Sequence, residues 1–256
     1  MKQFSAAILG SYPLSTGYFE CEFTWDKAAP SPEPGQFFTV RASDDTVPLL
    51  RRPFAFSAFD GKEGTVSMIF QKRGRGTCLL SAKQKGDRLD VIGPLGKPFP
   101  MPDRGEKTLL VAGGIGIGPI IFLAQTLRKE KIPVIMVFGC RTASLLPSGG
   151  SFAASEAVIC TDDGSRGFKG TAGDYLKSIE RSVGSGTIIY ACGPQPMLKT
   201  CHSIAVRQGC ECFVSVEQVM ACGVGACMGC AVKSAAGGYK RACTDGPVFN
   251  SKDLQW

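Results

Sequence analysis

The chain has 256 residues, 44% hydrophobic and 20% charged, enough for two domains and a small third element. Its net charge, 29 − 22 = +7, is spread without a long basic block, which fits solubility or an acidic partner surface and argues against nucleic acid. Twelve cysteines, with no secretory leader and no apolar run of membrane-spanning length, point to reduced thiols, a metal centre and the cytoplasm, not to a disulfide framework or a membrane.

The first hundred residues read as short strands punctuated by turns. Ala6–Leu9, Tyr18–Phe23, Gln36–Val40 and Thr65–Phe70 carry β-branched and aromatic residues, with Pro30, Pro32, Pro34 and Gly35 between them. A small antiparallel barrel with one short helix at Thr77–Lys83 is expected. Three pieces of it suit a ligand. Arg51 and Arg52 stand together in an apolar strand, where burial demands an anion, although an edge strand in water would also accept them. Gly74-Arg75-Gly76-Thr77 opens the helix, where free N–H groups suit a pyrophosphate and where an ordinary turn looks the same. Val91-Ile92-Gly93-Pro94-Leu95-Gly96 is a strand that ends in a turn.

From about Lys107 strands alternate with helices, the pattern of a parallel sheet. Thr108–Ala112 runs into Gly113-Gly114-Ile115-Gly116-Ile117-Gly118-Pro119 and a helical stretch, Ile120–Lys129. This is a relative of the dinucleotide fingerprint, since its spacing is not G-x-G-x-x-G. Val134–Gly139, Ala157–Thr161, Thr187–Ala191 and Cys212–Val216 are the further strands. Parallel sheets bind ligands at the carboxyl ends of their strands. Gly113–Gly118, Asp162–Ser165 and Cys192-Gly193-Pro194 all fall there and are expected to share one cleft, unless they merely terminate strands. Arg141 is placed either to meet a nucleotide 2′-phosphate or to face water. The single histidine, His202, is expected on a helix surface, and with no G-x-S-x-G a Ser-His-Asp hydrolase has little support.

The last stretch carries the most specific chemistry. Cys222, Cys227, Cys230 and Cys243 are spaced C-x4-C-x2-C-x12-C, the first three matching the plant-type iron–sulfur run. A zinc site usually has two C-x2-C knuckles, and here there is one; a Rieske centre needs two histidines. A [2Fe–2S] cluster is therefore expected ahead of zinc, a four-iron cluster or free thiols. Gly223, Gly225 and Gly229 between the ligands let backbone N–H groups face the sulfurs. The other eight cysteines are expected mostly in the core, with Cys192 a possible exception, and Trp256 is expected to lie without a fixed place.

In this order R-R-P, G-x-G-T, G-P-L-G, the Gly113–Pro119 loop, T-D-D-G, C-G-P-x-P-M and the cluster run cover nearly the whole chain. The set resembles the ferredoxin-reductase-like flavoprotein superfamily and, within it, the electron-transfer subunits of dihydroorotate dehydrogenase B. The resemblance implies an FAD-binding β-barrel (1–102), a doubly wound NAD-binding α/β domain (103–216) and a [2Fe–2S] loop module (217–256). It implies that Arg52, Pro53, Phe54, Ala55, Ile69, Phe70, Gln71, Gly76 and Thr77 contact FAD. Gly113, Gly114, Gly116, Gly118, Gly193 and Pro194 match the nicotinamide side, with Cys192 a catalytic or positioning residue near the nicotinamide, and the four cysteines match the cluster ligands. Two positions depart: Ala55 stands where the family usually has Ser or Thr, with Ser57 as a substitute, and Val219 stands where Arg is common. The implied activity passes electrons from an FMN-containing catalytic partner, in a heterotetramer, to NAD+ during pyrimidine biosynthesis. The alternatives are a subunit of an NADH-dependent ferredoxin:NADP oxidoreductase or of a sulfide dehydrogenase and, from another class, a zinc-stabilised or redox-sensing binding module.

Overall fold

A computed structural model describes residues 1–43, 45–103, 105–148 and 157–256. The N-terminal part is one antiparallel sheet of seven strands: β1 (Lys2–Ser15), β2 (Tyr18–Thr24), β3 (Phe37–Arg41), β4 (Arg52–Ala55), β5 (Ala58–Asp60), β6 (Thr65–Gln71) and β7 (Arg88–Leu95). Their spatial order is β4-β3-β7-β1-β2-β6-β5. The sheet curls round a core of aromatic residues, among them Trp25, Phe38 and Phe56, which meet edge-on or tilted. Inward residues alternate along each strand, as Val66, Met68 and Phe70 do on β6. Strand β1 is 14 residues long, well beyond the expected Ala6–Leu9. It continues through Gly10 and Pro13 because irregularities in its pairing with β2, between Ile8 and Gly10 and between Pro13 and Ser15, accommodate both residues. The one helix here, α1, spans Arg75–Ser81.

The second sheet has the order β11-β10-β9-β8-β12-β13-β16. Its strands are β8 (Lys107–Gly113), β9 (Val134–Cys140), β10 (Val158–Thr161), β11 (Phe168–Lys169), β12 (Thr187–Cys192) and β13 (Glu211–Ser215), all parallel, with β16 (Val248–Asn250) antiparallel on the edge. Helix α2 (Ile117–Lys129) covers one face; α3 (Ala172–Ser178) and α4 (Gln195–Gln208) cover the other. This is the expected doubly wound arrangement.

Helix α2 starts at Ile117, three residues before the expected Ile120, because Pro119 sits in the first turn, where its missing N–H has no intrahelical acceptor to lose. Its first eight residues are all buried. The cause is that α2 lies between the two sheets: Ile120 and Leu123 pack on the parallel sheet, while Phe122 enters the aromatic core of the barrel.

The chain after β13 forms a small two-stranded sheet, β14 (Ala231–Lys233) and β15 (Tyr239–Arg241), before β16 pairs with β13. Trp256 has a fixed place, contrary to expectation. Its indole N–H donates to the Ser251 carbonyl at 2.7 Å and its ring stacks on His202 at 5.4 Å. No helix among the described residues is long and apolar enough to cross a membrane.

Candidate functional site

In the parallel sheet β9 lies on one side of β8 and β12 on the other, so the topological switch point falls between β8 and β12. Their carboxyl ends meet closely. A Cβ on Gly116 would stand 2.1 Å from the Cys192 carbonyl oxygen, and one on Gly193 would stand 2.9 Å from the backbone of Gly113. Glycine is needed at both places because only backbone fits. The loop after β8 and the loop after β12 thus form one rim, as the strand-end rule anticipates, but Asp162–Ser165, expected to share it, lies exposed at the end of β10 and lines neither this cleft nor the adjoining one.

This rim faces the barrel across a cleft of about 320 Å³. The barrel wall consists of Arg52, Pro53, Phe54 and Ala55 from β4, Ile69, Phe70 and Gln71 from β6, and Thr77 from α1. The opposite wall brings Ile115, Gly116, Pro119, Cys192 and Gly193. Pro194 lines an adjoining cleft of about 910 Å³, which shares Arg52, Gly193 and Met220 with the first. Gly113 and Gly118 lie behind the rim: Gly113 packs under Pro194 and Met197, and Gly118 faces Ser57 and Ile69. Gly114, with φ of +53°, makes the turn between them. Ser57 is fully buried against Gly118 rather than on the cleft wall, and its hydroxyl has no partner among the described residues.

The adjacent arginines separate by partner. Arg51 is neutralised by the carboxylate of Asp90 on β7. Among the described residues Arg52 bonds only a backbone carbonyl, Leu50, and its Nε would lie 3.1 Å from a Cβ on Gly76, so its cation stands over the start of α1 on the cleft wall. The Thr77 hydroxyl is already engaged: it accepts from the N–H groups of Arg73 and Gly74 and donates to the Gly74 carbonyl. Arg52 therefore offers its cation to the cleft, Arg73 lines the same wall, and Thr77 shapes the turn. The apolar wall with these cations fits a flavin ring with its pyrophosphate.

Cys192 lines the cleft, but burial pushes its thiol up to about 12, against a smaller opposing effect of the Ser215 side chain. At neutral pH it is a protonated thiol, suited to packing rather than to nucleophilic attack.

The four cysteines of the tail stand as two pairs. Cys222 and Cys227 have sulfurs 3.3 Å apart, and Cys227 N–H also donates to Cys222 Sγ at 3.4 Å. Cys243 N–H donates to Cys230 Sγ at 3.4 Å. Among the described residues no three His, Cys, Asp or Glu side chains gather as a closed single-ion site requires. Two pairs of thiolates suit a two-iron cluster, in which each iron takes two thiolates besides the bridging sulfides. The backbone N–H of Val224, ahead of that of Cys227, holds the Cys222 thiol down at about 6, so the loop is already shaped for a thiolate. Gly223 and Gly225 make this possible with φ of +69° and +84°.

The two pairs face different surroundings. Cys230 and Cys243, 2% and 1% exposed, pack with Phe37 and Leu95 on the outer face of the barrel. Phe37 also lines the cleft. Cys222 and Cys227 are half-exposed, and Val219, Val224 and Met228 near them are exposed apolar residues. Phe37, Arg73, Pro119, Met220 and the Ser215–Gln218 segment are cleft residues that the sequence reading did not assign to the flavin site. Ser215 and Val216 follow from the strand-end rule applied to β13. Phe37 carries no such signal, since it reads as an ordinary core residue of a strand.

An antiparallel flavin-type barrel facing a doubly wound nucleotide-binding sheet, with an iron–sulfur loop on the barrel's flank, defines a ferredoxin-reductase-like flavoprotein. The ferredoxin NADP+ reductase of Neisseria gonorrhoeae has this fold, with a TM-score of 0.66 at 16% identity over 82% of this chain and 92% of that one. An NADH-dependent reduced ferredoxin-NADP oxidoreductase is closer, with a TM-score of 0.85 at 29% identity over 98% of this chain and 89% of that one. Residues 217–255 match the family model for the iron–sulfur cluster binding domain of dihydroorotate dehydrogenase B. The electron transfer subunit of dihydroorotate dehydrogenase B (NAD(+)) from Desulforamulus reducens is 38% identical over all of this chain and 99% of its own length. That of Geobacillus thermodenitrificans is 40% identical over 92% of both. The chain belongs to the family of dihydroorotate dehydrogenase B electron transfer subunits.

Proposed function

We propose that this protein is the NAD-linked electron-transfer subunit of a dihydroorotate dehydrogenase in pyrimidine biosynthesis, carrying FAD in the cleft and a [2Fe–2S] cluster on Cys222, Cys227, Cys230 and Cys243. The observation that carries this reading is Phe37, which touches the buried cysteine pair and the flavin cleft at once. Flavin, when bound, exchanges single electrons with an iron–sulfur centre and electron pairs with nicotinamide.

The residues divide the task. Arg52 neutralises the cofactor's pyrophosphate, and Pro53, Phe54 and Ala55 with Ile69, Phe70 and Gln71 bed its ring. The Gly113–Gly118 loop, with Gly193 and Pro194, admits the nicotinamide nucleotide at the switch point, and the protonated Cys192 thiol packs against it. The half-exposed pair, ringed by Val219, Val224 and Met228, is the side on which an FMN-containing catalytic subunit docks in a cytoplasmic heterotetramer. The domain limits are 1–102, 103–216 and 217–256, the last anchored to the second by β16. A ferredoxin:NADP partner has the weaker likeness, 29% identity against 38% and 40% for the dihydroorotate family.

Anaerobically purified protein is expected to show flavin bands with a broad red shoulder, equal iron and sulfide, and bleaching by NADH. Mixed with an FMN-containing dihydroorotate-oxidising subunit, it should couple dihydroorotate oxidation to NAD+ reduction. Zinc in place of iron, or flavin that NADH does not bleach, would overturn the reading.

A further inference from the structure

Gly225 is the point at which the two cysteine pairs meet. Its N–H crosses to the Cys243 thiol, and the N–H of the next residue, Ala226, joins those of Val224 and Cys227 on the Cys222 thiol. A φ of +84° lets one residue serve both sulfurs, and a Cβ there would stand 2.7 Å from the Thr244 methyl. The Gly225 carbonyl points away from Cys222, because the C=O and N–H of a trans peptide are antiparallel. It accepts from a guanidinium N–H of Arg241 at 2.9 Å. Arg241 ends β15, where the hairpin pairs it with Ala231, the residue after Cys230. Its backbone N–H donates to the Asp245 carboxylate at 2.6 Å and its carbonyl accepts from the Asp245 N–H at 2.8 Å, which fastens the turn that carries Cys243. One side chain thus ties that turn to the loop carrying Cys222 and Cys227.

The ion pair does not account for an arginine here. Its contact with Asp245 is long, 3.7 Å, and both side chains are 38% exposed, a setting in which such pairs contribute little. What the arginine adds is a cation at the carbonyl end of a peptide whose N–H meets a ligand sulfur. A donor on the carbonyl polarises the peptide and strengthens the bond that its N–H makes. We infer that Arg241 is a positioning residue that clips the two cysteine pairs together and, through the Gly225–Ala226 peptide, raises the reduction potential of the centre they hold. The inference rests on the [2Fe–2S] assignment made above. Four thiolates make that centre anionic, and reduction adds one more negative charge, so a nearby cation and stronger N–H donors both favour the reduced form. Arg241 thereby sets how readily the centre takes an electron.

The test is a redox titration of the complete holoprotein followed by electron paramagnetic resonance, with Arg241→Gln and Arg241→Lys beside the wild type. Iron and sulfide content is measured first, so that a failure of the cluster assignment shows in the wild type before any potential is compared. Arg241→Gln is expected to hold a full cluster with its reduction equilibrium about tenfold less favourable, ~59 mV more negative for a one-electron couple. Arg241→Lys keeps the charge and is expected to lie closer to the wild type than to the glutamine variant. Arg241 lines neither cleft, so the flavin couple stays in place in both and serves as the internal control. If glutamine prevents loading, Arg241→Met, which keeps an unbranched stem without the charge, takes its place in the same comparison. An uncharged variant with a full cluster at the wild-type potential overturns the inference. So does a lysine variant that shifts as far as the uncharged one, because the charge would then not be the cause. Failure of both uncharged variants to hold iron overturns it as well, since Arg241 would then serve assembly and not potential.

Discussion

Arg51 and Arg52 are neighbours in sequence with different partners in space, and two predictions follow from that difference. Arg52 has no carboxylate partner among the described residues, so Arg52→Gln removes the charge offered to the FAD pyrophosphate. Hydrogen bonds to charged groups contribute ~1.5–3 kcal/mol, so FAD should bind at least about tenfold more weakly in equilibrium dialysis. Arg51→Gln should leave FAD affinity near wild type and lower the melting temperature instead, since it strips Asp90 of its partner. Cys192 gives a third. Its thiol is raised to about 12, above the unfolded range, so it stays neutral through pH 6–9 and ionises in the folded protein only as pH rises toward that value. The pH profile of NADH-dependent flavin reduction should therefore lack a thiol titration, and Cys192→Ser should leave the profile's shape unchanged. Among single residues, the four cysteines of the tail stood out because three of them lie within one loop and their spacing is itself the constraint. Phe37 was not, because what distinguishes it is the module packed on its outer face, which is a tertiary fact. Cys78 was expected in the core with most of the other cysteines and is exposed, since α1 is a short surface helix.

At the scale of elements, strand identities were legible wherever β-branched residues ran between glycines, and their boundaries shifted where packing overrode local signals. The start of α2 and the length of β1 are the two clear cases. Strand β16 was not read at all, since Val248–Asn250 is three residues long and gains its meaning only from pairing with β13. The rim between β8 and β12 is the place proposed for the nicotinamide nucleotide. Gly116→Ala forces a methyl onto the Cys192 carbonyl, a backbone group that cannot step aside. It should impair bleaching of the flavin by NADH while iron content stays at the wild-type level, which separates the nucleotide rim from the cysteine loop. Helix α3 shows a pH effect. Thr171 and Asp174 cap it reciprocally, and the Thr171 hydroxyl, with Lys177 behind it, holds the Asp174 carboxyl below its ordinary value. A depressed carboxyl stabilises the fold above its unfolded pKa and loses that contribution as pH falls through the folded one. Asp174→Asn should accordingly melt lower than wild type at pH 7, with the two melting curves converging as the solution is acidified below the usual carboxylate range.

Over the whole molecule, the barrel and the nucleotide-binding sheet are joined through α2, whose Phe122 is 6% exposed and belongs to the barrel's core. Phe122→Ala should cost about 3 kcal/mol, a fall of roughly 6–12 °C in Tm for a chain of this size, seen by calorimetry. If Phe122 served only its own sheet, the barrel's near-ultraviolet circular dichroism would be unaffected; it is expected to weaken. The three-part organisation was legible as a change of pattern near Lys107 and again at the cysteine run. The way the parts share residues was not, because Phe122, Phe37 and β16 each belong by sequence to one part and by contact to another. The cleft has a consequence for the protein's life in the cell. Its walls are drawn from positions as distant as Gly35 and Pro247, so whatever fills it holds distant stretches of the chain together. A ligand that binds only the folded state shifts the folding balance by mass action. Chains made while flavin is scarce would open more often and be degraded sooner, so vitamin supply would set the abundance of this protein without any change in its synthesis.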